Sequence, residues 1–380
     1  MEHLNKACPE VSWVITGTCN FSCHYCSTEK EFLEYNDRQA SEVAQKLISI
    51  LDQTDKEWHV VITGGEPFVV RNFHEICHQI TQNHLITIDT NLSLDKPIEN
   101  FIQTVNPSRV RQLYGAVHIE ERAKHESLTK FVNRIHHLKK HGFPLKISYV
   151  LEPKLSVRFW DDHQFFKEHD IEIVPKPFKG IMEHGFRNLK MEYYDQKTKE
   201  ILREFAKTKL KTTVSVTGVQ CNSGKDFIRV MPNGDVKRCY NATKLMGNVL
   251  VDSFEFNLMA KECDVAICCH NGLKHVEFKP AEREFLNAIM SLKLGEFVRA
   301  KESLETGLKL DPNFASAYIN LAHIAIQERQ YELASTHLEK AKMLSPDHPT
   351  VKHHEEKFKM GEFDKIYFTN TIYFEKSRMM

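Results

Sequence analysis

Cys19, Cys23 and Cys26 stand in a C-x3-C-x2-C spacing, and Cys221, Cys239, Cys263, Cys268 and Cys269 crowd a second stretch further along the chain. Thiolates are soft ligands, suited to zinc or to iron–sulfur clusters. A closed structural zinc site takes four ligands. Three cysteines in one loop leave one coordination position short, and for a cubane that shortage is useful, because the fourth iron stays open to a ligand. A zinc loop or three free thiols is the bland alternative. The remaining cysteines, Cys8 and Cys77, fit neither group and read as small buried hydrophobes. His74, Cys77 and His78 share one helical face but lack a fourth ligand. His136, His137 and His141 near a helix end complement its dipole. Lys176, Lys179 and Arg187 read as a solvated charged face.

The first half of the chain supplies the elements that must hold the first loop. Short apolar runs at Val11–Thr16, Trp58–Thr63, Leu85–Asp89, Leu113–Ile119, Leu145–Val150 and Ile171–Val174 read as strands. Between them, Ser41–Leu51, Asn72–Thr81, Leu128–His141 and Val157–Glu168 carry apolar residues at helical spacing. Strands alternating with helices imply a parallel α/β sheet, here a partial (β/α)6 TIM-like barrel. The cysteine loop follows the first strand, at the end where such barrels carry their chemistry.

The chain has 380 residues, with 51 Lys and Arg against 51 Asp and Glu. That length predicts two or three domains. Zero net charge disfavours gripping a nucleic-acid backbone. No apolar run approaches the ~20 residues that span a bilayer. The charged segment Met1–Glu10 is unlike a signal peptide, so a cytoplasmic location is expected. In that reducing compartment ten cysteines are not disulfides.

Cys19-Asn-Phe-Ser-Cys23-His-Tyr25-Cys26, with an aromatic before the last cysteine, resembles the loop of the radical S-adenosylmethionine (radical SAM) enzymes. Gly64-Gly65-Glu66-Pro67 at the second strand end is similar to that family's GGEP motif. Thr90-Asn91-Leu92 is similar to its Thr-Asn-Gly, with leucine in place of glycine. His118-Ile119-Glu120-Glu121 ends the fourth strand, where the family often places a polar contact to SAM. The resemblance implies a 4Fe-4S cluster on Cys19, Cys23 and Cys26. It implies SAM held by Tyr25, Gly64, Gly65, Glu66, Pro67, Asn91 and Glu120. It further implies one-electron cleavage to a 5′-deoxyadenosyl radical, hydrogen abstraction from a substrate, and an external donor such as flavodoxin or ferredoxin. No side chain is assigned as catalytic.

The second cysteine group opens with Cys221-x12-Gly234-x4-Cys239, and Phe227–Met231 and Asp235–Cys239 flank Pro232-Asn233-Gly234 as a hairpin. The spacing resembles the SPASM and twitch extensions of radical SAM enzymes. Five cysteines imply one auxiliary 4Fe-4S cluster, with Cys221 and Cys239 as its firmest ligands and two of Cys263, Cys268 and Cys269 completing it. A four-cysteine zinc site is the alternative.

The last hundred residues repeat at an offset of 34. Asp311-Pro312 returns as Ser345-Pro346, Ala288 as Ala322, Ala300 as Ala334, Leu304 as Leu338 and Gly307 as Ala341. This period marks tetratricopeptide (TPR) repeats. Two copies bury too little surface alone, so they are expected to lean on the cysteine-rich piece or on a capping helix near Lys352–Lys359. The expected domains are a barrel core over 8–185, a bridging helix (Met191–Lys207) and auxiliary-cluster domain over 186–275, two repeats with a capping helix over 281–360, and a tail over 361–380 whose aromatics pack back. The repeats suggest a peptide or protein substrate. A small molecule or sugar dehydrogenated by the same chemistry is the second reading, and a zinc-stapled scaffold without catalysis the third.

Overall fold

A computed structural model describes residues 8–26, 37–177, 195–205, 219–251, 253–265, 268 and 274–369. The chain divides into two compact units. The first comprises Met1–Thr208, Gly224–Cys239 and Thr243–Phe256. The second comprises Lys209–Ser223, Tyr240–Ala242 and Asn257–Met380.

The first unit is built on one sheet. Its strands are β1 (Glu10–Thr16), β2 (His59–Gly64), β3 (Leu85–Thr90), β4 (Val110–Ala116), β5 (Leu145–Leu151) and β6 (Ile173–Pro177). They lie side by side in chain order, each parallel to the next. Between them run α1 (Asp37–Asp52), α2 (Phe73–Asn83), α3 (Asp95–Thr104), α4 (Ile119–His125), α5 (Leu128–Lys140) and α6 (Phe159–Glu168). β1 is buried almost throughout, as expected of a parallel strand covered on both faces. Val43, Ala44, Leu47 and Leu51 of α1 sit in the same core as Trp13, Val60 and Ile62. Helix α7 (Gln196–Phe205) follows; the expected bridging helix otherwise lies outside the described residues.

Two elements differ from expectation for local reasons. The fourth strand stops at Ala116 rather than Ile119, because His118 takes a left-handed φ of 45° and turns the chain into α4. Helix α3 was not expected. Pro97 lies in its first turn, where a missing N–H is tolerated.

The hairpin also lies elsewhere than expected. Its strands β8 (Phe227–Val230) and β9 (Asp235–Lys237) pair antiparallel, and β10 (Leu245–Asn248) adds to them. β8 runs parallel to β1, register Glu10 to Phe227 through Trp13 to Val230, so the hairpin extends the barrel sheet instead of belonging wholly to a 186–275 domain. Burial explains this. Ile228, Val230 and Val236 are fully buried in the first unit's core, and they cover an edge of β1 that would otherwise expose unpaired backbone groups.

In the second unit, β7 (Gln220–Cys221) pairs with β11 (Lys261–Glu262). Five helices follow: α8 (Pro280–Leu294), α9 (Phe297–Leu310), α10 (Ala315–Gln327), α11 (Tyr331–Leu344) and α12 (Pro349–Lys359). The small residues of the 34-residue repeat, Ala288, Ala300, Ala322, Ala334 and Ala341, are fully buried. Gly307 is closely packed, since a Cβ there would stand 3.3 Å from the Ala281 carbonyl oxygen. The first repeat leans on the cysteine-rich piece: Val219, Cys221, Cys263 and Val276 share one apolar cluster with Phe285, Ala288 and Leu304. α12 packs Val351 against Ile319 and Ala341. The segment after α12 folds back onto α10 and α12. Asn320 of α10 accepts from the Thr369 N–H (2.7 Å) and donates to its carbonyl (3.0 Å), and His354 Nε2 accepts from the Tyr367 N–H at 3.3 Å. The tail aromatics Tyr373 and Phe374, also expected to pack back, lie outside the described residues. Among the described residues no helix is long and apolar enough to cross a membrane.

His348 and His354 are fully buried. Burial holds the two imidazoles down to about 4 and about 3. Both are neutral in the fold, whereas an unfolded histidine titrates near 6.5. Below about pH 6.5 the unfolded chain therefore binds more protons, and stability falls with pH until the folded values are passed. At pH 5 the cost is roughly 2 kcal/mol for each histidine. Thermal denaturation of H354Q should show a shallower loss between pH 7 and pH 5 than the unaltered chain. Identical slopes would contradict the assignment.

Candidate active site

Three cysteines meet in the loop after β1. Cys19 and Cys23 are half-buried and Cys26 is exposed. The thiols are close enough to act on one another electrostatically, and burial pushes Cys19 up and Cys23 up to about 12. Partly desolvated thiols of this kind become stable thiolates only beside a cation. The donor set thus fits a soft metal centre with three protein ligands, such as an iron–sulfur cluster.

The loop is held from several strand ends. Glu121 accepts from the Ser22 N–H at 2.9 Å. Lys124, then the Ser22 amide and His125, hold its carboxyl down to about 2. Asn91 Nδ2 donates to Asn20 Oδ1 at 2.9 Å and lies 3.9 Å from Cys19 Sγ. Tyr25 Oη and His118 Nδ1 are 2.8 Å apart, and burial lowers the His118 imidazole to about 4.

The glycines of the second strand end face the loop backbone. A Cβ at Gly64 would stand 2.2 Å from the Thr16 carbonyl oxygen, and one at Gly65 2.0 Å from that of Thr18. The Gly65 and Glu66 amides donate to those same carbonyls at 2.7 and 2.9 Å. Glu66 is 1% exposed. Its carboxylate accepts from Thr90 Oγ1 (2.7 Å), the Asn91 N–H (2.6 Å) and the Phe68 N–H (3.0 Å). Burial pushes it up to about 7. Glu66 therefore ties the ends of β2 and β3 together, and Pro67 opens the 3-10 turn Pro67–Val69 that it caps.

The third strand end explains its departure from Thr-Asn-Gly. Leu92 has φ 53°, the left-handed region that glycine favours. The strain, about 1–2 kcal/mol, is offset by full burial of its side chain in a contact for which Gly115 leaves room: a Cβ at Gly115 would stand 2.6 Å from Leu92 Cδ1.

A buried ionic network lies behind these strand ends. Arg122 is fully buried and donates to the carbonyls of Val117 (2.9 Å), Ala116 (3.1 Å) and Asn91, and to Glu126. Its guanidinium lies 3.8 Å from the Phe131 ring centroid. Arg134 bridges Glu126, Asp95 and the Leu92 carbonyl. Sequence reasoning missed Arg122, Arg134 and Glu126, because nothing in their spacing separates them from surface charges of a helix. Glu120, expected to contact a ligand, pairs with Lys154 at 2.7 Å. His24 and Glu152, also missed, are hydrogen-bonded at 2.9 Å.

In the second unit Cys221 and Cys263 are buried in neighbouring strands' pairing zone, Cys263 N–H donating to the Val219 carbonyl at 2.8 Å. Cys268 packs against the same apolar cluster. Cys239 belongs to the first unit, and Cys269 lies outside the described residues. Among the described residues no cysteine forms a disulfide.

The protein-family model for the Radical SAM superfamily matches residues 13–166, and that for a tetratricopeptide repeat matches 291–353. The chain thus carries a radical SAM domain followed by TPR repeats. A GTP 3′,8-cyclase of Synechocystis sp. is 29% identical over 181 residues, 45% of this chain and 54% of that protein. The chain spans about half the length of this relative. An AdoMet-dependent heme synthase of Oleidesulfovibrio alaskensis is 25% identical over 81 residues, 21% of each chain. Among solved structures, native anSMEcpe with bound AdoMet aligns at TM-score 0.46 and 15% identity, covering 64% of this chain and 78% of that one. Streptococcus suis SuiB bound to precursor peptide SuiA aligns at TM-score 0.44 and 16% identity, covering 66% and 65%.

Proposed function

We propose that the radical SAM domain of this protein abstracts hydrogen from a peptide or protein side chain, as a maturase or peptide-modifying oxidoreductase. The observation that carries the radical chemistry is the convergence of Cys19, Cys23 and Cys26 at strand ends locked by Glu66, Asn91 and Glu121. A 4Fe-4S cluster held there would, with SAM and one electron from an external donor, supply cleavage of the sulfonium to methionine and a 5′-deoxyadenosyl radical. The chain's own residues do the positioning. Glu121 fixes the loop amide, Asn91 reaches the Cys19 sulfur, and Gly64 and Gly65 let the second strand end lie against the loop. Tyr25, Gly64, Gly65, Glu66, Pro67, Asn91 and Glu120 are the proposed SAM contacts.

A single auxiliary 4Fe-4S cluster is part of the proposal, with ligands drawn from Cys221, Cys239, Cys263, Cys268 and Cys269. Burial of Cys221 and Cys263 in one cluster supports it. A flavodoxin- or ferredoxin-like donor and a cytoplasmic location complete the reading. The TPR repeats support a peptide substrate, since such repeats present surfaces to extended chains. The names of the cyclase relatives favour the second reading, a small molecule, here a nucleoside triphosphate.

Anaerobic reconstitution followed by dithionite and SAM tests the reading. The expected result is brown protein that forms 5′-deoxyadenosine. Zinc without iron under these conditions would sink it. Deuterated substrates then choose the class: label passing from a peptide to 5′-deoxyadenosine supports the first reading, and label passing from a nucleoside triphosphate replaces it with the second.

A further inference from the structure

We propose that His24, Glu120 and Glu152 form a binding site for a divalent first-row transition cation, separate from the cysteine ligands. His24 comes from the loop after β1, Glu120 from the first turn of α4 and Glu152 from the end of β5. Their ligand atoms all lie within 4.8 Å of one another. Metal–ligand bonds of about 2.0–2.2 Å place donor atoms roughly 3–4 Å apart, so small rotamer changes close the trio around an ion.

The second observation is an orphaned atom. Glu152 is 5% exposed, and its Oε1 has no hydrogen-bond partner among the described residues, while Oε2 lies 2.9 Å from His24 Nε2. A buried carboxylate oxygen left unpaired is costly, and a cation satisfies it. One imidazole and two carboxylates suit manganese or zinc. Calcium prefers six to eight oxygens. Three protein ligands leave coordination positions open to a substrate oxygen.

Lys154 now stands near the same groups, its Nζ 2.7 Å from Glu120 Oε2 and 3.7 Å from Glu152 Oε2. The lysine is half-exposed, and exposed ion pairs of this kind are weak. A divalent cation can therefore displace its ammonium. The cation site shares Glu120 with the SAM contacts proposed above but takes no cysteine, so iron content and Mn2+ binding report the two sites separately.

The test is Mn2+ titration of the reconstituted full-length protein, read by loss of the free aquo-ion EPR signal, with Zn2+ as competitor and iron measured on the same samples. One competable Mn2+ per chain is expected. E152Q and H24A should each weaken binding at least about tenfold with iron content unchanged. K154M should tighten it severalfold, because its carboxylate neighbours lose their ammonium. Equal affinity in the unaltered chain, E152Q and H24A, or no gain in K154M, would overturn the proposal. Iron lost together with Mn2+ in H24A, the exposed position, would also count against a separate site.

Discussion

Replacing Cys19, Cys23 and Cys26 together with alanine is expected to abolish 5′-deoxyadenosine formation and to lower iron from about eight to about four per chain. The reason is specific to this loop. Burial raises the Cys19 and Cys23 thiols, so these two gain most from a metal. The fold should survive, since Cys26 is exposed, the other two are half-buried, and the loop keeps its Ser22–Glu121 and Asn20–Asn91 bonds. The remaining iron reports the second cysteine group. C8A, at a half-buried position outside both groups, should retain both iron and turnover. Retained cleavage in the triple variant would refute the assignment. Loss of all iron would instead place every cluster ligand in the first loop and remove the auxiliary cluster.

Arg122→Met is expected to destabilise the first unit by about 3–5 kcal/mol. Methionine fills much of the volume, but the carbonyls of Ala116, Val117 and Asn91 lose their donor. Glu126 keeps Arg134, which limits the cost of an unpaired charge. Arg122→Lys should recover only part of the loss, because an ammonium cannot serve the same fork of acceptors. All three tryptophans, Trp13, Trp58 and Trp160, lie in the first unit, so urea unfolding followed by tryptophan fluorescence reports it. A loss below about 1 kcal/mol would mean that the network is dispensable; its members would then be ordinary helix charges. Iron retained together with slower SAM cleavage in this variant would mark Arg122 as a positioning residue, acting through Asn91 on the cysteine loop.

Local patterns made much of this protein legible. Cys19, Cys23 and Cys26, the glycines at 64 and 65 and the 34-residue alanine repeat declare themselves because chain-adjacent chemistry and short periodicities need no tertiary information. The strand and helix order followed from runs such as Val11–Thr16 and from the apolar spacing of 43, 44, 47 and 51. What the neighbours of those residues do was not legible. Glu66 reads in sequence only as part of a SAM-like motif; the fold shows its carboxylate accepting from Thr90, Asn91 and Phe68. Gly64 and Gly65 read in sequence only as part of the same motif; the fold shows that a Cβ at either would meet the backbone of residues 16–18.

Three matters were decided by tertiary structure alone. The hairpin near Gly234 joined the barrel sheet because its apolar face and the open edge of β1 satisfy each other, a pairing between residues about 217 apart in the chain that no local period encodes. Arg122, Arg134 and Glu126 became a buried brace because burial is a property of the packed molecule and not of charge spacing. His24, Glu120 and Glu152 met only because three strand ends converge. The cysteines and glycines thus determined which chemistry this chain can hold. The packing of distant strand ends decided which side chains surround it.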